Sequence, residues 1–225
     1  MKNYRAILSV PALAVFLFCG GAAYAANQGE KTAISTKDDN FQKMMQRGRA
    51  SEADNTVILA PLAGEWNYVA TFWASPESEG TSSDGTTTNE MVLNDRYLAS
   101  NVVGILNIDG KAAPIKGQGM IGYDSTKKAF TSVWADTLSP GMMLGKGSYD
   151  AKTKSIKETG QFINPLTGTQ DNFSSQLDLT GPDTYKKTLY VVGKSGKQTK
   201  LMEIEYTRSN GAGVAANPEY PAEKP

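Results

Sequence analysis

The sequence predicts an all-β protein, a ten-stranded antiparallel up-and-down β-barrel preceded by a short N-terminal helix. Three observations carry this reading. Between residues 62 and 208 hydrophobicity alternates with period two, turn-forming clusters interrupt it every eight to twelve residues or so, and no helical segment stands between the runs. Even spacing of many short strands points to a sandwich or a barrel, and closure into a barrel removes the exposed edges.

The chain starts "MKNYRAILSVPALAVFLFCGGAAYA", with Lys2 and Arg5 ahead of an apolar run and a closing Ala23-Tyr24-Ala25. This pattern is that of a secretory signal peptide over residues 1–25, cleaved after Ala25, which places the mature protein in the periplasm or outside the cell. The apolar run is about 13 residues long, where a membrane span needs about 20. Leu17 and Phe18, standing before Cys19, do not fit a lipoprotein signal.

Cleavage removes the only cysteine and leaves 21 basic against 23 acidic side chains. A near-neutral chain without a basic run is a poor partner for nucleic acid or an anionic membrane. There is no histidine. Ser-His-Asp and Cys-His catalysis are thereby excluded, and zinc, copper and haem lose their usual ligand. No cofactor is expected.

Residues 26–58 read as a mobile polar segment followed by a short amphipathic helix. Asp38, Asp39 and Asn40 serve as candidate caps, Phe41, Met44 and Met45 as the packing face, and Gly48 as the stop. Strands follow at 65–74, 86–94, 96–106, 117–123, 129–136, 142–149, 155–163, 169–179, 184–192 and 200–208, forming a barrel domain over 59–209. The breaks between them, among them "SPESEGTSSDG", "DGKAAPIKG", "DSTKK" and "DAKTK", are rich in Gly, Pro, Asp and Asn. Residues 210–225 have no periodicity and read as a disordered tail. "GYDSTKKAF" and "GSYDAKTKSI" echo one another, so consecutive strands are expected to be neighbours.

Gly117, Gly119 and Gly122 spell G-x-G-x-x-G, the string of dinucleotide sites. Such a site needs a helix after the glycines to hold the pyrophosphate, and here a turn and a strand follow. The glycines are better read as a strand freed of side chains on one face, giving curvature or room in the lumen.

"LAPLAGEWNYVATFW", "NEMVLNDRYLAS", "GQGMIGYDSTKKAFTSVWADT", "GSYDAKTKSI", "NPLTGT" and "LMEIEYTRS" together resemble the bacterial family known as domain of unknown function 1579. The resemblance implies a calycin-like, lipocalin-type barrel and no particular activity. Gly64-Glu65-Trp66 also resembles the G-x-W opening of lipocalins, in which the tryptophan plugs the barrel floor beneath an arginine from the chain's end. In an even-stranded meander the last strand ends where the first begins, and side-chain parity puts Arg208 inside, so a Trp66–Arg208 stack is expected.

The same parity gives candidate ligand-lining residues, Tyr68 and Phe72 on the first strand and Phe130, Trp134 and Asp136 on the fifth; Arg96 and Asn101 are added, not from parity, as polar groups that could join Asp136 at a ligand. Mixed aromatic, small and polar lining suits a pocket for a small apolar or amphipathic molecule, though small barrels also fill themselves with such residues. Asp136 has a second reading as the cap of the following turn. A barrel binding such a ligand is the leading expectation. An envelope structural or interaction protein with a filled barrel is the alternative, and a histidine-free hydrolase the third. Ser125-x-x-Lys128 with Lys194-Ser195-Gly196 imitates penicillin-recognising enzymes but lies in turns rather than at a helix start. "DSTKK" and "DAKTK" are too poor in acids for a calcium loop.

Overall fold

Strands form where the period-two pattern runs, because alternate side chains can then enter a common interior. The computed structural model describes residues 31–49, 52–108, 111–164 and 167–209. The expected signal peptide, residues 26–30 and the tail at 210–225 lie outside the described residues.

The strands are β1 (Gly64–Phe72), β2 (Thr81–Val92), β3 (Tyr97–Ile108), β4 (Lys111–Asp124), β5 (Ala129–Asp136), β6 (Met143–Asp150), β7 (Ser155–Ile163), β8 (Gln170–Asp178), β9 (Thr184–Val192) and β10 (Gln198–Arg208). Each pairs antiparallel with its sequence neighbour, and β1 pairs with β10 to close the barrel. Two breaks expected from the sequence are strand. Residues 81–85 pair with β1 and residues 111–116 with β3, Pro114 included. Proline is tolerated there because the β4–β5 ladder begins only at Gly117, so Pro114 lies outside it.

The echoed hairpins share one turn chemistry. The Asp124 carboxylate accepts from the Thr126 and Lys127 amides, and the Asp150 carboxylate from those of Lys152 and Thr153. Those bonds hold both carboxyls below the usual range. Lys128 and Lys154 each take the left-handed backbone, φ 50°, to re-enter the next strand.

The chain divides into two units, residues 1–41 and 42–225. The first contributes, among the described residues, the opening turns of helix α1 (Lys31–Arg49). This helix is longer than expected: no proline or glycine interrupts it before Gly48, so Asp38, Asp39 and Asn40 lie within it rather than capping it. Phe41, Met44 and Met45 are 53%, 58% and 40% exposed and form no packed face.

A second helix, α2 (Glu52–Ile58), and a 3₁₀ turn at Ala60–Leu62 close one end of the barrel. Residues 52–58 therefore belong with the barrel rather than with a mobile leader. Asn55 is fully buried; its amide donates to the Arg96 carbonyl and its side-chain oxygen accepts from the Tyr123 backbone. Ile58, Leu59 and Leu62 join Trp66, Leu98, Phe130, Ile156 and Tyr185 in one buried cluster. Phe162, Phe173 and Leu189 form a second.

Candidate functional site

The first turn of the barrel is built around Trp66. Its indole N–H donates to the Leu62 carbonyl at 2.9 Å, and the ring meets Tyr185 edge-on with centroids 4.7 Å apart. Arg208, its register partner on β10, places its guanidinium carbon 4.1 Å from the indole centroid. The guanidinium donates to the carbonyls of Ala63, Pro61 and Pro182 and pairs with Asp183. Gly64 has φ 120° and lies so close that a Cβ would stand 2.8 Å from Arg208 Nη1. The G-E-W string thus combines a left-handed residue, needed for the entry turn, with the ring that plugs the floor.

Above that floor, side-chain parity lines the lumen. Trp66, Tyr68 and Ala70 are buried, with Phe72 nearer the other end, and the pattern runs through Thr87, Val102, Trp134, Glu158, Lys187 and Tyr206. Tyr68, Tyr206 and Tyr185 form a ladder, Tyr185 stacking on Tyr206 with centroids 4.0 Å apart. Burial pushes the Tyr68 phenol up to about 12 and raises those of Tyr185 and Tyr206 as well.

Among the described residues, cavities lie at both ends of the lumen. A deep one of about 100 Å³ lies above Leu59 and Leu62 and is bordered by Asn89, Ser100, Ser132, Glu158 and Tyr185. A second, about 210 Å³, lies at the opposite end and is bordered by apolar groups such as Phe72, Leu106, Ile115, Phe162 and Met202. Val102, Trp134, Met143, Lys187 and Tyr206 border both, so they form the wall between a bottom where polar groups stand among apolar ones and a more uniformly apolar mouth.

The glycine string finds its explanation here. A Cβ on Gly117 would collide with the Trp134 six-membered ring, and one on Gly119 would stand 3.0 Å from Trp134 Cε3. The side chains missing from β4 make room for Trp134, which lies across that strand. Asp136 fixes this ring: one carboxylate oxygen accepts from Trp134 Nε1 at 2.8 Å and from Ser139 Oγ, the other from the Leu138 and Ser139 amides.

The expected lining residues divide accordingly. Tyr68, Phe72, Trp134 and Asp136 border the mouth cavity, although Asp136 is committed to its turn and to Trp134. Phe130 faces inward but is packed into the floor cluster against Tyr123, bordering neither cavity. Asn101 is corrected: it is exposed on the outer face beside Gln118, because Ser100 and Val102 take the inward positions of β3. Arg96 is corrected too, lying in the β2–β3 turn over the Tyr97 ring, 5.6 Å away, outside the lumen.

Two lumen residues went unread in the sequence. Glu158 is 5% exposed; one oxygen accepts from Ser175 Oγ at 3.3 Å and the other, Oε1, is buried with no partner. Lys187 stands in the shared wall, and no ion pair joins the two. Their signal was parity: each is a charged residue at an inward position, Glu158 between Ile156 and Phe162, Lys187 between Tyr185 and Leu189.

Among the described residues no group of three or more acidic or cysteine side chains is gathered to hold a metal, and no helix is long and apolar enough to cross a membrane. Residues 52–208 match the family model described as a protein of unknown function, DUF1579. The chain belongs to this family. The family's match begins at α2 and ends at Arg208, so it spans the closing helix and the whole barrel. No curated protein matches the chain. Among solved structures, it is similar to Rv2717c from M. tuberculosis, at 14% identity and TM-score 0.50 over 69% of this chain and 98% of the other. An S-type phycobiliprotein lyase, CPES from Guillardia theta, aligns at 8% identity and TM-score 0.48 over 74% and 97%. The first likeness concerns the fold.

Proposed function

We propose that this protein binds a small amphipathic molecule in its barrel and does so outside the cytoplasm. The observation that carries the reading is the mixed lumen: an apolar mouth cavity leads past Trp134 and Lys187 to a deeper cavity where Glu158, Asn89 and Ser132 stand among apolar side chains. An apolar pocket with a few orienting polar groups is what small-molecule binding requires. Two carboxylates border the lumen, Glu158 and Asp136, but they belong to different cavities and both oxygens of Asp136 are occupied, which favours binding over paired-acid hydrolysis.

The test is a tryptophan-fluorescence titration of the mature protein with octan-1-ol and octanoate. Trp134 borders both cavities, whereas Trp66 is sealed under Arg208 and Trp73 lies against Lys200. A saturable change that disappears in Trp134→Phe supports the reading; no change with either probe overturns it. Export rests on the leader at residues 1–25, and N-terminal sequencing of the protein recovered from an extracytoplasmic fraction should begin at Ala26.

A further inference from the structure

We infer that the deep cavity recognises a head group carrying an anion beside a hydrogen-bond donor, the anion taken by Lys187 and the donor by Glu158 Oε1. This inference rests on the reading of the lumen as a binding site.

Glu158 is the decisive group. A buried carboxylate oxygen that accepts nothing has lost its water without replacement, and this is the arrangement that a ligand's N–H or O–H relieves. Gly145 on β6 puts no side chain against this oxygen: a Cβ there would stand 3.2 Å from Oε1 and would collide with Ser132 Oγ. Lys187 supplies the opposite charge in the wall of the same cavity, and it is not spent on Glu158 or on any other described carboxylate. A plain fatty acid would satisfy Lys187 and leave Oε1 bare. An alkylamine would satisfy Oε1 and face the lysine's like charge. A head with both groups, as in a hydroxy acid, answers both.

The mouth cavity sets the tail. At roughly 30 Å³ for each water-sized group, its 210 Å³ accommodates a chain of about seven heavy atoms. The ligand class is therefore a medium-chain amphiphile, head at the floor and tail towards the mouth.

Calorimetric titration of the mature protein with 3-hydroxyoctanoate, octanoate, octan-1-ol and octylammonium tests this. 3-Hydroxyoctanoate should bind tightest, by about tenfold or more over octanoate and over octan-1-ol. Lys187→Met should erase the advantage of 3-hydroxyoctanoate over octan-1-ol, and Glu158→Leu its advantage over octanoate. The ligand series on the wild-type protein decides the matter even if Glu158→Leu fails to fold. Similar affinities for all four probes, octylammonium binding tightest, or a Lys187→Met variant that keeps the carboxylate preference would overturn the head-group assignment while leaving the lumen as a binding site. Failure of every probe, octan-1-ol included, would remove the binding reading itself and this inference with it.

Discussion

Arg208 sits over the indole of Trp66, 4.1 Å from the ring centroid, and the two are direct partners across the β1–β10 seam that closes the barrel. The contact joins the first strand to the last, and the same guanidinium gathers three backbone carbonyls and the Asp183 carboxylate. Removing it in Arg208→Ala should cost about 2–3 kcal/mol, from the lost cation–π contact and the carbonyls left without donors. Arg208→Lys should recover only part, because an ammonium cannot reproduce the planar fork. Chemical denaturation of the three proteins checks both.

Gly117 and Trp134 compete for one space. Gly117→Ala should destabilise the protein by about 1–3 kcal/mol through overpacking against the indole. In a Gly117→Ala, Trp134→Leu double variant much of that cost should vanish, since the smaller side chain leaves room for the methyl. Additive costs in the double-mutant cycle would contradict the contact.

Asn55 ties the closing helix to the barrel by bonding to both the Arg96 carbonyl and the Tyr123 amide while fully buried. Asn55→Ala should cost about 2–3 kcal/mol, since two buried backbone groups lose their partner. Hydrogen exchange should show the Tyr123 amide losing protection before the amides of β7 and β8.

The tyrosine ladder fixes the alkaline limit. Tyr68 is raised from 10.0 to about 12 by burial, with the Asp84 charge adding to it. Tyr185 and Tyr206 are raised by burial as well. The folded state thus holds protons that the unfolded chain releases, so the contribution is complete below pH 10 and is lost as pH rises towards 12. Denaturation midpoints should fall across that window, and Tyr185→Phe should flatten the fall. A constant midpoint up to pH 12 would contradict the buried phenols.

Much of this architecture was legible in the chain. β5, β7 and β9 stand at the residues that alternation marked, and the Asp-led hairpins repeat because the same five-residue turn solves the same geometry twice. The starts of β2 and β4 were hidden for a physical reason: Ser, Asp, Gly and Pro are turn formers in isolation, and only the ladders to β1 and β3 hold 81–85 and 111–116 extended. Helix α2 is too short to show a period. At the site, parity placed Tyr68, Phe72 and Trp134 in the lumen, whereas Asn101 was chosen for its polar side chain without following parity, and it faces outward beside Gln118. Glu158 and Lys187 were overlooked because a charged residue in a strand reads as solvated unless its parity is followed around the closed barrel.

The most direct measurement is a methyl NMR titration of the mature protein, labelled at methionine, with octanoate. Met143 borders both cavities and Met202 the mouth, while Met142, Met44 and Met45 are exposed outside. The account predicts saturable shifts at Met143 and Met202 with Met142, Met44 and Met45 unmoved. Shifts confined to the exposed methionines, or none at saturating octanoate, would contradict a ligand-binding lumen.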